Sequence, residues 1–244
     1  MLGREGGYVA ATRHPWPCLV FLMPLLLAYE GGLFWYGGQQ HEVVRNGADT
    51  WLHSGLTALG LVEAYWAPAL IGGFFFAWSC LRRRDKPRDL VGVCAGMSIE
   101  SVGFAVALWG MSRNLTPFLK SLGIVLAAAP PPTERVPSQI LTFVGAGIYE
   151  EVLFRLLLFG GLSWLLRMAG LGSPATFVLA AAASAVAFSA AHHAGSHGEA
   201  FDSYVFCFRT LAGLYFTLLF QLRGFGITVG THACYDVLAG IVMS

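Results

Sequence analysis

Long apolar runs separated by short polar stretches constrain the fold of this chain more than any other feature. They cover residues 18–36, 59–80, 90–111, 138–168, 175–191, 203–222 and 225–243. A helix that crosses a membrane needs about 20 mostly apolar residues, and in hydrocarbon it satisfies its own backbone hydrogen bonds. The sequence therefore predicts an all-α, polytopic transmembrane helix bundle with about seven or eight spans.

The composition agrees with this interpretation. Of the 244 residues, 56% are hydrophobic and only 12% are charged, whereas a soluble enzyme of this length carries far more surface charge. The formal net charge of +1 provides no basic field for a nucleic acid, so we expect no nucleic-acid partner. The expected surroundings are a lipid bilayer.

Two features organise the N-terminal half. The densest basic cluster, residues 82–88, follows the second apolar run, and the positive-inside rule assigns it to the cytoplasm. Residues 37–55 are polar and predict a loop outside the bilayer. The region 112–137 is ambiguous, because its apolar part, 115–129, has about fifteen residues and is too short for an ordinary crossing. It could be re-entrant, interfacial or a thinned crossing.

Prolines at 130–132 and 137 predict a stiff connector that divides the chain. We expect residues 1–137 to form N-terminal transmembrane helices and this connector, and residues 138–244 to form a second group of helices. Both groups belong to a single integral membrane domain, because no separate soluble part is visible in the sequence.

Three ionisable residues, Glu150, Glu151 and Arg155, interrupt the apolar run 138–168. A charged group at a helix centre costs roughly 2.5–3.5 kcal/mol of insertion free energy, so such groups pair or line a functional cavity. Glu151 and Arg155 are four positions apart and can pair on one helix face. Glu150 points about 100° away and remains as a candidate general base. A structural ion pair with one spare carboxylate is the alternative interpretation.

Two later apolar helices also carry polar groups. Ser173 and Pro174 predict the start of one of them, with the serine hydroxyl as its cap, and this helix leads into His192. The last helix carries His232 and Asp236, which are four positions apart, so Asp236 could orient the His232 ring by accepting its N–H. The sequence therefore predicts a site where three helices converge.

The order of these motifs resembles the CPBP or Abi family of intramembrane proteases, which includes the type II CAAX prenyl endopeptidases. The resemblance covers residues 138–244. It is carried by Glu150-Glu151-x-x-x-Arg155, Phe188-x-x-x-His192 and His232-x-x-x-Asp236.

The resemblance implies a glutamate-dependent endopeptidase. Glu150 would activate a water molecule, His192 would help to hold that water, and the Glu151–Arg155 pair would support them. The substrate would be a membrane-associated peptide or protein, with a lipidated, CAAX-like segment as one form. We expect a multi-pass protein of a prokaryotic plasma membrane.

His232 and Asp236 would stabilise the developing oxyanion, and here the sequence departs from the usual family pattern. Many members have Asn at the second position, and an amide can donate a hydrogen bond that an ionised Asp236 cannot. Either His232 is the donor and Asp236 orients it, or Asp236 is protonated.

We expect no cofactor, although a divalent metal is an alternative. Glu150, His192 and His232 could together bind zinc, as could the trio of His192, His193 and His197. The sequence contains no HExxH motif, and a glutamate that activates water needs no metal. Adjacent residues on a helix point about 100° apart, so His192 and His193 cannot easily serve one site. We expect His193 and His197 to lie in a loop.

Two non-proteolytic alternatives remain. Glu30, Glu100, Arg155 and Arg209 are charged groups in apolar context, as in proton or ion pathways. A transporter of this size usually has internal repeats, and none is visible. A catalytically silent scaffold on the same fold is the second alternative. We expect Glu30, Glu63 and Glu100 to be paired or to lie near an interface.

Overall fold

The computed structural model describes residues 7–37, 45–124, 138–195 and 198–242, and its regular elements in these ranges are all helical. The α-helices are α1 Tyr8–Thr12, α2 Pro15–Gly37, α3 Gly47–Ala58, α4 Trp66–Leu81, α5 Leu90–Ser121, α6 Ser138–Glu151, α7 Gly160–Met168, α8 Ser173–Ala191, α9 Ser203–Arg223 and α10 Phe225–Val242. A 3-10 turn at Arg83–Asp85 follows α4, and a π-helical segment, Val152–Phe159, joins α6 to α7. The all-α architecture is confirmed.

Four helices in the described ranges are long and apolar enough to cross a membrane. They are Pro15–Trp35 within α2, and helices α5, α8 and α9. Helix α4 is apolar but has only 16 residues. The chain is thus an integral membrane protein, and the number of spans, seven or eight, stays a prediction.

The polar segment after α2, which the sequence predicts to be a loop, contains a helix. Helix α3 begins at Gly47 because the Asn46 side-chain oxygen accepts hydrogen bonds from the backbone N–H groups of Ala48 and Asp49, which caps the helix. The chain then turns at Gly60, whose φ of 87° favours glycine. Helix α4 consequently starts later than the expected position near 59. Residues 38–44 lie outside the described ranges.

Helix α5 is longer than expected. It was predicted to end near residue 111, but it continues through Pro117 to Ser121. The polar residues Arg113 and Asn114 are exposed, so they do not need to end the helix. The prediction of a separate short element over 115–129 is therefore wrong for residues 115–121, which belong to α5. The proline connector lies outside the described residues.

The helix that carries the two glutamates covers the predicted range, but its middle is wound differently. In the π-helical segment the N–H of Gly160 reaches the carbonyl of Arg155, five residues earlier. The hydroxyl of Ser184 on α8 donates to the carbonyl oxygen of Phe154 at 2.7 Å. Helix α8 thus contacts the segment directly after Glu150 and Glu151.

The predicted cap of α8 is wrong by one position. Gly172 is the N-cap residue, with extended backbone angles, and Ser173 and Pro174 occupy the first two helical positions. The serine hydroxyl makes no capping hydrogen bond. Proline still marks the first turn, where its missing N–H costs nothing.

Close helix packing aligns the polar residues. Helix α10 packs against α5 and α6, while α8 packs against α9 and the π-helical segment. A Cβ added at Gly147 on α6 would lie 2.8 Å from the backbone nitrogen of Ala233 on α10. A Cβ at Gly213 on α9 would lie 2.9 Å from the Cα of Ala185 on α8. Glycine at these two positions lets the backbones approach and brings the glutamate and histidine helices together.

Candidate active site

Glu151 lies between Arg155 and His232. Its Oε2 is 3.1 Å from Nε of Arg155, and both side chains are fully buried. Its Oε1 accepts a hydrogen bond from Nδ1 of His232 at 2.7 Å. Arg155 also donates through Nη2 to the carbonyl oxygen of Gly213 at 3.3 Å. Glu151 therefore connects the helix that carries it to α10, and Arg155 connects it to α9.

Aromatic rings enclose this buried pair. The Arg155 guanidinium lies 4.5 Å from the ring centroid of Phe188, a cation–π arrangement. The His232 ring stacks on Phe216, with the centroids 4.4 Å apart and an interplanar angle of 17°. These rings help to keep water away from the buried Glu151–Arg155 pair. Electrostatic attraction between buried charges is stronger than in water.

Glu150 faces the other way and uses its two oxygens differently. Oε1 accepts a hydrogen bond from Nδ2 of Asn46 at 3.0 Å. Oε2 is 3.7 Å from Nε2 of His192 and 3.8 Å from Nε2 of His232, and it has no hydrogen-bond partner among the described residues. These separations exceed a direct hydrogen bond, but one water molecule can contact the carboxylate and a ring together.

His192 is the C-cap residue of α8, and its ring orientation is set locally. Nδ1 lies 2.8 Å from the carbonyl oxygen of Phe188, so this nitrogen carries a proton and donates. Burial lowers the pKa of His192, although the charge of Glu150 acts in the opposite direction. A neutral ring of this tautomer presents Nε2 to Glu150 as an acceptor. His193 lies in the following turn, and His197 lies outside the described residues.

Asp236 does not hold the His232 ring in the way we expected. Its Oδ2 is 3.5 Å from Nε2 of His232, whereas Oε1 of Glu151 lies much closer, 2.7 Å from Nδ1. Glu151 is therefore the group that fixes the ring. The reason is the close packing of α6 on α10, which spacing within α10 alone does not reveal.

Glu150 and His192 line a cavity of about 270 Å³ that opens to the surface. Other residues of its wall are Arg45, Asn46, Trp51, Phe154 and Glu199. Arg45 is paired with Asp49 at 2.6 Å, and Glu199 with Arg209 at 2.8 Å. Because these charges compensate one another, Glu150 is the carboxylate in the described wall that has no arginine partner.

A metal at the candidate ligands stays an alternative prediction, and His197 lies outside the described residues. Among the described residues, no group of three or more His, Cys, Asp or Glu side chains is placed to bind a metal ion. Oε2 of Glu150 lies near the Nε2 atoms of two imidazoles, whose Nδ1 atoms donate to protein acceptors.

Sequence reasoning missed Asn46. The pattern Asn46-x-x-Asp49, with an acid at the third helical position, resembles a capping box and could have predicted the start of α3. Nothing in the sequence shows that this cap lies beside a glutamate 104 positions later.

The fold and the site together define a polytopic helical membrane protein with a carboxylate between two imidazoles at the edge of a cavity. Residues 132–238 match the model of one family, described as type II CAAX prenyl endopeptidase Rce1-like, and the resemblance drawn from the sequence is thereby confirmed. No curated protein and no solved structure gives a significant match. The family match indicates a CAAX-type protease that acts on a membrane-associated protein in a lipid bilayer.

Proposed function

We propose that this chain is an intramembrane glutamic endopeptidase in which Glu150 activates the attacking water. The observation that supports this most is the free Oε2 of Glu150, which faces Nε2 of both His192 and His232 at the wall of a cavity. A buried carboxylate oxygen without a hydrogen-bond partner costs free energy unless a water molecule or a ligand satisfies it. A water molecule held between this oxygen and an imidazole would satisfy it.

Water activation follows from the atoms present. The water donates one hydrogen bond to Oε2 of Glu150 and the other to Nε2 of His192, so its lone pair faces the scissile carbonyl carbon. As the oxygen–carbon bond forms, one water proton passes to Glu150 and the carbonyl oxygen becomes an oxyanion. Collapse of this intermediate breaks the carbon–nitrogen bond, and Glu150 returns the proton to the leaving amine. The products are a carboxyl terminus and a new amino terminus.

His232 stabilises the oxyanion through Nε2. Because Nδ1 already donates to Glu151, Nε2 can donate only when the ring carries both protons. The carboxylates of Glu151 and Asp236 supply compensating negative charge beside that ring. The role of Asp236 is then to balance charge, and the Glu151–Arg155 pair keeps the ring in place. Preorganised donors of this kind usually contribute the largest electrostatic part of acyl-transfer catalysis.

The substrate is a peptide or protein at the membrane, with a lipidated, CAAX-like C-terminal segment as the form that the family suggests. A site among apolar helices is reached most easily from the lipid or from the interface. We place the chain in a prokaryotic plasma membrane, with seven or eight spans and the basic cluster 82–88 on the cytoplasmic side. The catalytic helices are those of residues 138–244.

The test is cleavage of a fluorogenic, membrane-anchored peptide library by purified protein in nanodiscs. Wild type is compared with Glu150→Gln and with chelator-treated enzyme. Cleavage that is lost in Glu150→Gln and kept with chelator supports the proposal. Loss in both supports a metal-dependent protease with the same residues, and equal cleavage by both proteins removes Glu150 from the mechanism.

The transporter and scaffold alternatives have their own readouts. Ion conductance in liposomes would favour a transporter, but the charged groups that suggested it have local partners. Glu100 pairs with Arg223, and Glu30 accepts a hydrogen bond from Tyr149 at 2.5 Å. A folded protein whose cellular function survives Glu150→Gln would favour a scaffold.

A further inference from the structure

Asn46 makes a polar contact to Glu150 from outside the segment that matches the family. It directly precedes α3 and is only 5% exposed. Its Nδ2 donates to Oε1 of Glu150 at 3.0 Å. The N-terminal half of the chain therefore reaches the proposed general base.

The amide of Asn46 is fixed in one orientation. Its Oδ1 accepts from the backbone N–H of Ala48 at 2.7 Å and of Asp49 at 3.1 Å. Turning the amide over would place Oδ1 against the carboxylate of Glu150 and the NH₂ group against two N–H donors. The backbone N–H of Asn46 also donates to the hydroxyl of Tyr29 at 3.2 Å. The helix cap thus ensures that a donor, and not an acceptor, faces Glu150.

We infer that Asn46 is a positioning residue that binds Oε1 of Glu150 and leaves Oε2 directed at the two imidazoles. This inference rests on the proposed function, because it concerns the same carboxylate. A carboxylate held at one oxygen cannot rotate freely about its terminal bond, so the other oxygen keeps its place beside His192 and His232. Asn46 acts through Glu150 and needs no contact with the reacting atoms.

Asn46→Ser separates this role from helix capping. Serine caps a helix about as well as asparagine, but its hydroxyl is too short to reach Glu150. We expect kcat to fall about 10-fold to 100-fold, as for a misplaced catalytic group, with KM changed by less than about twofold. The matched control is Asp89→Ser at the cap of α5, where Asp89 accepts from the N–H of Gly92 at 2.8 Å. It should leave kcat and KM unchanged.

The outcomes distinguish this inference from the proposed function. Wild-type kcat in Asn46→Ser, together with an inactive Glu150→Gln, overturns the inference and leaves the proposed function standing. A fall in kcat that is matched by a loss of thermal stability far beyond that of Asp89→Ser assigns Asn46 to the fold and also overturns it.

A second measurement needs no substrate. The infrared difference spectrum between wild type and Asn46→Ser should contain a shifted carboxylate band, because Glu150 loses a hydrogen bond. The same difference taken in the Glu150→Gln background should lack that band. If the band is absent from the first difference or present in both, the inference fails. Because this result does not depend on cleavage, it decides the inference even if no peptide in the library is cut.

Discussion

Two carboxylates on apolar helices, Glu100 on α5 and Glu150 on α6, are held in very different ways. Both oxygens of Glu100 accept from Arg223, one from Nε at 2.8 Å and one from Nη2. Glu150 has a neutral amide on one oxygen and no hydrogen-bond partner for the other among the described residues. The first group forms a bidentate ion pair, and the second lines a cavity.

Under the proposed function, this difference distinguishes a structural charge from a reactive one. A bidentate arginine neutralises a carboxylate and occupies its lone pairs, so no oxygen remains for water or substrate. Arg155, which lies one turn beyond Glu150, is committed to Glu151. The apolar position alone does not separate the two glutamates, but their partners do.

The largest expected effect comes from removing each carboxylate in turn. Glu150→Gln should lower the cleavage rate by about 10²-fold to 10⁴-fold, the usual contribution of a general base. Glu100→Gln should leave the cleavage rate unchanged, because Glu100 touches no part of the cavity. Both rates are measured with the same membrane-anchored peptide. Equal losses in the two variants would mean that the partners do not separate reactive from structural carboxylates.

Removing the arginine partner of Glu151 or of Glu100 should reduce the stability of the fold by different amounts. Arg155→Met should destabilise the fold by about 3–5 kcal/mol, because it leaves the carboxylate of Glu151 buried without its cation. Arg223→Met should cost about 1.5–3 kcal/mol, the value of hydrogen bonds to a charged group, since its pair is partly exposed. Unfolding is followed by thermal denaturation in one detergent. The prediction is wrong if Arg223→Met melts at the lower temperature.

The pH dependence of stability tests the histidine beside Glu150. Because burial lowers the pKa of His192, the folded protein takes up a proton there less readily than the unfolded chain. Stability should therefore fall as the pH drops below about 6.5, the ordinary value for histidine. The melting temperature of His192→Gln should change less than that of wild type between about pH 7 and pH 5. Parallel curves for the two proteins would contradict this explanation.

The smallest effect is expected at the rim of the cavity. Glu199 accepts two hydrogen bonds from Arg209, which lowers the pKa of Glu199. Its side chain is 57% exposed, so Glu199→Gln should cost less than about 1 kcal/mol of stability. Any stabilisation by this pair is present above about pH 4.3 and is lost as the pH falls through the lowered pKa. Chemical unfolding at pH 7 and pH 3 should show the difference between the proteins only at pH 7.

Local spacing predicted much of the helical framework. The apolar runs predicted the helices that begin at Leu90, Ser138, Ser203 and Phe225, because burial in lipid requires continuous apolar segments. The spacing of Glu151 and Arg155 also predicted that they share a helix face, since residues four apart lie about one turn apart. The end of α5 was missed because polar residues can continue a helix beyond the bilayer.

Contacts between distant helices could not be predicted in the same way. The approach of α10 to α6 at Gly147 places Glu151, and not Asp236, closest to His232. The contact of Asn46 with Glu150 depends on how α3 docks beside α6, and no period in the sequence reports that docking. A single sequence reveals which faces are polar, but the partners of those faces depend on tertiary packing.

The π-helical segment Val152–Phe159 allows its long helix to change length by one residue without turning either end. In an α-helix, inserting or removing one residue turns everything beyond it by about 100°. A segment with wider turns can absorb such a change as a return to α-helical winding, and π-bulges are frequent at functional sites. A one-residue deletion here would therefore be taken up by the winding, and α7 as well as Glu150 and Glu151 would keep their orientations. Length variation in this helix is consequently expected downstream of the glutamates and not upstream.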